Sequence, residues 1–221
     1  MKKYKIIYAD CPWEYSNPKN NDPAMGGITY NTMPVEEIMA LPVQSLADKD
    51  CALFMWATMP KLREALQVIE SWGFTYTTCA FTWIKLNKNA GFIEKTVNKI
   101  KYTIIEGGFY SGMGHWTNGN AELCLFAKKG RPPRNKKNVK QLVFSPLGRH
   151  SAKPPEVRNR IVELMGDVPR IELFARERVE GWHTFGNEVY SDIILTNDNI
   201  FYTKPLKNEV IPTYEIDKFL K

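Results

Sequence analysis

The chain has 221 residues, 43% hydrophobic and 12% aromatic, enough for one sizeable core and too apolar for a disordered chain. Thirty Lys and Arg against 24 acids give a net charge of +6, which suits a polyanionic partner. No run is apolar and long enough to span a membrane and no early stretch reads as a secretory signal, so the expected setting is cytoplasmic.

Lys5 to Ala9 reads as a buried strand that must stop at Pro12, because proline cannot donate to a ladder. Asp10-Cys11-Pro12-Trp13 is then left at the strand's carboxyl end, where open α/β sheets place their ligand crevice. Residues 14–33 are polar and rich in Asn, Pro and Gly, and read as a long loop. A short helix follows from Pro34, with Glu36 and Glu37 near its start. Cys51 to Ala57 is an apolar strand. Pro60 to Trp72 is an amphipathic helix with Leu62, Leu66 and Ile69 on one face and Gly73 as its stop.

Phe74 to Leu86 is β-rich, whereas residues 87–119 show no sustained period and read as a second long insertion. Ala121 to Ala127 is another strand. A third insertion, residues 128–152, is a basic loop: between Lys128 and Arg160 stand eleven Lys or Arg and one acid, Glu156. Pro154-Pro155-Glu156 opens a helix to Met165, Arg170 to Ala175 is the last clear strand, and residues 176–188 are polar. Strand and helix in alternation predict an α/β fold, a mostly parallel sheet with right-handed crossovers, in one domain over residues 1–190. Residues 191–221 read as a C-terminal extension with two weak strand-like patches.

The chemistry is narrowed first by what is missing. There is no phosphate-binding glycine loop, no dinucleotide fingerprint and no nucleophile elbow. Cys11, Cys51, Cys79 and Cys124 are widely spaced and the three His have no metal-ligand spacing, so reduced thiols and no metal site are expected. Asp10 to Trp13 suits work on a nucleobase amine, a poor nucleophile because its lone pair is delocalised into the ring. Two acceptors, the Asp10 carboxylate and the Cys11 carbonyl, favour the pyramidal amine, Pro12 stiffens the turn, and Trp13 offers a flat face to a base taken out of its stack.

Asp10-Cys11-Pro12-Trp13 resembles the D-P-P-W motif of the MT-A family of adenine-N6 methyltransferases. Further blocks stand in family order: Tyr30 to Met33, Leu53 to Trp56, Trp72 to Phe74, Trp83-Ile84-Lys85, Gly114-His115-Trp116, His150 to Pro154, Arg170 to Arg176 and Gly186-Asn187-Glu188. The resemblance implies a class I methyltransferase, an α/β Rossmann-like mostly parallel sheet with helices on both faces, and S-adenosyl-L-methionine as cofactor. It implies that Asp10, Cys11, Pro12 and Trp13 form the catalytic turn and that Asp10, Lys153, Arg176, Asn187 and Glu188 hold the cofactor. Trp13, Tyr30, Lys85, His115 and His150 would meet the substrate, while Trp56, Trp72, Trp83 and Trp182 would be core or pocket wall. Cys11 departs from the motif's first proline, and Arg178-Val179 from a His-Asn pair that contacts ribose in the messenger-RNA enzyme. The expected substrate is adenine in DNA, with RNA as the alternative, because the chain is compact and shows no added RNA-binding module. A homodimer or a second methyltransferase-like subunit is a further expectation, and a non-catalytic nucleic-acid-binding partner is the reading from another class.

Overall fold

A computed structural model describes residues 2–15, 31–112, 114, 116–149, 152–196 and 199–203. In chain order the elements are β1 (Tyr4–Ala9), α1 (Val35–Ala40), β2 (Ala47–Ala57), α2 (Leu62–Ser71), β3 (Thr75–Leu86), β4 (Gly91–Val97) and β5 (Ile100–Glu106). Then come β6 (Ala121–Lys129), β7 (Leu142–Pro146), α3 (Pro155–Met165), β8 (Arg170–Leu173), β9 (His183–Phe185), β10 (Ile193–Leu195) and β11 (Ile200–Tyr202). Seven strands form one sheet in the order β7-β3-β6-β2-β1-β8-β9. The pairs β1/β2, β1/β8, β8/β9 and β3/β7 are all parallel, so the fold is the α/β Rossmann-like class expected from the sequence.

By contacts the chain divides into two compact units, each described by itself. The first comprises the described residues of Met1–Thr78, Leu125–Pro133 and Asp167–Lys221. Its centre is β1, whose Ile6, Ile7, Tyr8 and Ala9 are all buried, as a strand covered on both faces requires. Tyr8 lies opposite Phe54 of β2 on one side and Glu172 of β8 on the other. The chain therefore leaves β1 toward one flank and returns on the other, which makes the carboxyl end of β1 a topological switch point.

Helix α2 buries Ala65, Val68 and Ile69, not the expected Leu62-Leu66-Ile69 stripe. The short Ala65 lets the helix approach closely, and Leu62 and Leu66 are left half-buried. Gly73, at φ +77°, ends the helix in the conformation only glycine adopts without strain. The Trp72 indole N–H just beyond α2 donates to the Ile38 carbonyl at 2.9 Å and ties α1 to α2.

The second unit comprises the described residues of Cys79–Cys124 and Arg134–Gly166. Residues 87–119 are not one irregular insertion, because β4 and β5 pair antiparallel over seven positions in an isolated two-stranded ribbon. Its period was hidden because both faces carry apolar and charged residues alike. The basic loop contains a further strand, β7, and the polar segment after β8 contains β9. All four cysteines are free thiols, and burial pushes the Cys51 thiol up to about 12.

At the amino ends of β1 and β8, the Lys2 ammonium lies 2.8 Å from Nε2 of His183, and the Tyr4 hydroxyl lies 2.8 Å from Nδ1. Lys2, Arg170, Arg178, Trp182, His183 and Asp192 are among the residues lining a cleft of about 470 Å³ there. Burial and then the Lys2 charge lower the His183 pKa, against the opposing pull of Asp192. The neutral ring is favoured in the fold, so below about pH 6.5 the unfolded chain binds more protons and stability falls. His183→Gln should flatten this loss, seen as a weaker fall in Tm on acidification from pH 7 toward pH 5; an unchanged Tm–pH curve would remove His183 from the acid response.

Candidate active site

Asp10 is the first residue beyond the β1 ladder, its N–H 3.5 Å from the Leu173 carbonyl of β8. The following turn is closed twice: the Trp13 N–H donates to the Cys11 carbonyl at 2.9 Å, and the Met33 N–H donates to the Pro12 carbonyl at 2.8 Å. Trp13 and Met33 form an isolated parallel bridge. Replacing the motif's first proline by Cys11 therefore leaves a turn that backbone hydrogen bonds hold. Asp10 is half-buried, whereas Cys11 and Trp13 are 3% and 4% exposed. The Trp13 indole N–H is buried without a hydrogen-bond partner among the described residues, an uncommon state for such a donor. Beneath the turn the Trp56 indole donates to the Tyr8 hydroxyl at 2.6 Å, and the Tyr8 ring tilts against Trp182 at 5.8 Å between centroids. Trp56, Trp72, Trp83 and Trp182 are all buried, as expected of core or pocket wall.

In the same unit, the ends of β8 and β9 meet through Gly186. The Ala175 N–H donates to the Phe185 carbonyl at 2.9 Å, and a Cβ on Gly186 would stand 2.1 Å from the Ala175 oxygen. Ser191 fixes the turn from outside: its hydroxyl accepts from the Gly186 N–H and donates to the Gly186 carbonyl, both at 2.9 Å. This closure places Arg176 beside Glu188, Nε to Oε1 2.9 Å, both half-exposed, with Asn187 exposed between Gly186 and Glu188. Three residues expected to hold the cofactor are thus gathered at one strand end. Arg178 and Val179 turn the other way and line the cleft at the amino ends of β1 and β8. There Arg178 is occupied by the Tyr190 carbonyl at 2.6 Å and by Asp192 at 3.1 Å.

The second unit contributes a charge cluster that the sequence did not announce. Glu122 of β6 accepts a hydrogen bond from Lys85 of β3 and pairs with Lys153 at 3.5 Å. All three side chains are less than a fifth exposed. Burial raises the Glu122 pKa, but the charges of Lys153 and Lys85 outweigh it and the carboxyl lies below its usual range. Two cations share one anion, which holds both ammonium groups in fixed positions. The Lys85 ammonium also sits 5.1 Å from the Trp83 ring centroid. No local pattern in the sequence marks Glu122, because its pairing spans 37 residues to Lys85.

The basic segment is not one solvated patch. Lys153 is taken up by Glu122, Arg158 is 7% exposed, and Arg160 binds Glu156 at 2.6 Å and the Leu142 carbonyl at 2.7 Å. Seven of the eleven cations, including Arg131, Arg134, Lys137 and Lys140, are exposed. Tyr30, His115 and His150 lie outside the described residues, as do most of residues 14–33.

The MT-A70 family profile matches residues 4–188, from the first residue of β1 to the partner of Arg176. The chain belongs to the MT-A70 family. This MT-A70 chain is 33% identical over 206 residues to the type II methyltransferase M.MunI of Mycoplasma sp, covering 85% of the chain and 78% of that protein. It is 26% identical to a putative N(6)-adenosine-methyltransferase MT-A70-like protein of Medicago truncatula and 25% identical to the N(6)-adenine-specific methyltransferase METTL4 of Mus musculus. Those alignments cover 86% and 85% of the chain but only 27% and 38% of the relatives, so the MT-A70 chain spans well under half their length.

Two substitutions test how the site is held. Gly186→Ala must push the new Cβ into Ala175 backbone, at a cost of about 2 kcal/mol or more; an unchanged denaturant midpoint would show that the two strand ends are not in contact. Glu122→Gln leaves two mostly buried ammonium groups without their counter-charge and should destabilise by about 3 kcal/mol. A Lys85→Met change added to it should recover part of that loss, as a double-mutant cycle in urea would show.

Proposed function

We propose that the protein transfers a methyl group from S-adenosyl-L-methionine to the N6 amine of adenine in DNA. The observation that carries this is the Asp10-Cys11-Pro12-Trp13 turn standing at the switch point of a parallel sheet, in a chain whose MT-A70 match runs through every element around it. The Asp10 carboxylate and the Cys11 carbonyl accept the two amine N–H bonds, favouring the pyramidal nitrogen with its lone pair directed at the electrophile. A carbonyl oxygen has two lone pairs, so the Cys11 oxygen serves the amine while holding the Trp13 N–H. After transfer the methylated amine sheds its surplus proton to water, with the Asp10 carboxyl group hydrogen-bonded beside it. Trp13 backs the flipped base with its ring.

The cofactor supplies an electrophilic methyl group on a sulfonium. The residue types present fit it: an ammonium suits its carboxylate, and the resemblance assigns that contact to Lys153. Arg176, Asn187 and Glu188 offer donors and acceptors for its ribose and adenine, with Glu188 oriented by Arg176. The reading of DNA over RNA is supported by the greater identity to the type II methyltransferase than to the adenosine-methyltransferase relative, while the exposed cations between Lys128 and Arg149 suit the phosphates of either polymer. An RNA substrate is the second reading, favoured by the resemblance to that adenosine-methyltransferase.

Labelled methyl transfer to matched duplex DNA, single-stranded DNA and RNA, followed by digestion to nucleosides, tests substrate and position together. Label in N6-methyldeoxyadenosine is the expected result. Asp10→Ala should lower turnover by at least about a hundredfold while leaving most cofactor binding intact, because the acid chiefly serves the amine. A variant retaining most of its turnover would overturn the role given to Asp10.

A further inference from the structure

The ribbon of β4 and β5, in the second unit, has no part in the proposed catalysis. Each strand has seven residues, and the strands are joined by Asn98 and Lys99, both at positive φ (51° and 66°), the left-handed pair of a tight two-residue hairpin turn. Its root is tied to the end of β3. The Asn87 side-chain amide donates to the Gly107 carbonyl at 2.7 Å, the Asn87 N–H donates to the Gly108 carbonyl at 3.1 Å, and the Tyr110 N–H donates to the Lys85 carbonyl at 2.9 Å. Beyond that root, among the described residues, the two strands pair only with each other.

Both faces are open. Phe92, Val97, Ile100, Tyr102 and Ile104 are between 41% and 56% exposed, although a two-stranded hairpin with no cover is marginal in water. Charge is unevenly distributed along it: residues 95–101 hold Lys95, Lys99 and Lys101 and no acid, while Glu94 and Glu106 lie nearer the root. The distal end is therefore a cationic tip with Val97 and Ile100 paired across it.

We propose that this ribbon is a recognition arm that enters the major groove of duplex DNA. The inference rests on the DNA reading above and adds how the duplex is gripped. A two-stranded antiparallel ribbon matches a major groove about 12 Å wide and about 8.5 Å deep, and seven residues at about 3.3 Å each give it a reach of roughly 23 Å. Lys95, Lys99 and Lys101 are placed for the phosphates on either wall. Val97 and Ile100 present apolar surface to the groove floor, where the thymine methyl group is exposed, and Asn98 at the turn can pair with an adenine edge. A second copy of the chain is the weaker occupant, because it would bring three more lysines toward the same tip.

The test compares the wild-type protein with K95Q/K99Q/K101Q, whose exposed sites leave folding intact, in binding to a fluorescent duplex, its single strand and the matching RNA over a range of salt. Cofactor affinity is followed by calorimetry and mass by light scattering. The variant should bind duplex at least about tenfold more weakly, and the slope of log Kd against log salt should fall by about 2 to 3, with cofactor affinity and mass unchanged. Val97→Ser with Ile100→Ser should broaden the set of methylated sites in a randomised duplex library. If the wild-type protein binds and methylates duplex DNA but both variants match it, the groove assignment fails and the DNA reading stands. If the wild-type protein methylates RNA and ignores duplex, the DNA reading fails and takes the arm with it. A wild-type dimer that either variant dissociates would assign the ribbon to self-association and overturn the proposal.

Discussion

The site hangs on β1 being paired in parallel on both sides. With Ala9 opposite Met55 of β2 and Leu173 of β8, the paired residues run up to Ala9, and Asp10, its N–H still directed at the Leu173 carbonyl, is the first residue beyond them. Pro12 then forbids further pairing, and the Met33 N–H takes up the Pro12 carbonyl. A slip of one residue in this register would send Tyr8 and Asp10 to the opposite face and bury the acid in place of a side chain that belongs there. The hydrogen bond from Trp56 to the Tyr8 hydroxyl makes such a slip costlier still, since it would strand two buried polar groups.

Charge is organised around the same principle of few, committed partners. In the first unit Arg176 and Glu188 hold each other at the joined ends of β8 and β9, in a closure that needs the missing Cβ of Gly186. In the second, Glu122 holds two lysines, and its ionisation is secured by them against burial. Neither arrangement maximises stability, because desolvating ions is costly. Each presents polar groups in fixed positions.

The expectations that held were those carried by local chemistry. The apolar run before Asp10, the Gly73 stop, the Pro154-Pro155 helix start and the free thiols all depend on a residue and its near neighbours. The strand-pairing ribbon within residues 87–119 escaped because periodicity reports burial, and this ribbon buries neither face. Strands β7 and β9 escaped because five and three residues are too few to show a period. The uneven burial of the basic segment escaped for a related reason: Lys153, Arg158 and Arg160 look like their neighbours in sequence and differ only in which distant groups they meet.

By itself the sequence determined the α/β class, the position of the Asp10–Trp13 turn at the end of a strand, and the family. These follow from motif order and from the incompatibility of proline with a ladder, which need no long-range information. Tertiary structure alone decided that Glu122 joins Lys85 and Lys153, that Gly186 closes the β8 and β9 ends beneath Arg176, and that Arg178 faces the amino ends of the strands. The physical reason is sequence separation. A carboxylate 37 residues from its lysine carries no local mark of the pairing, and only the register of β3 against β6 brings the two ions within reach.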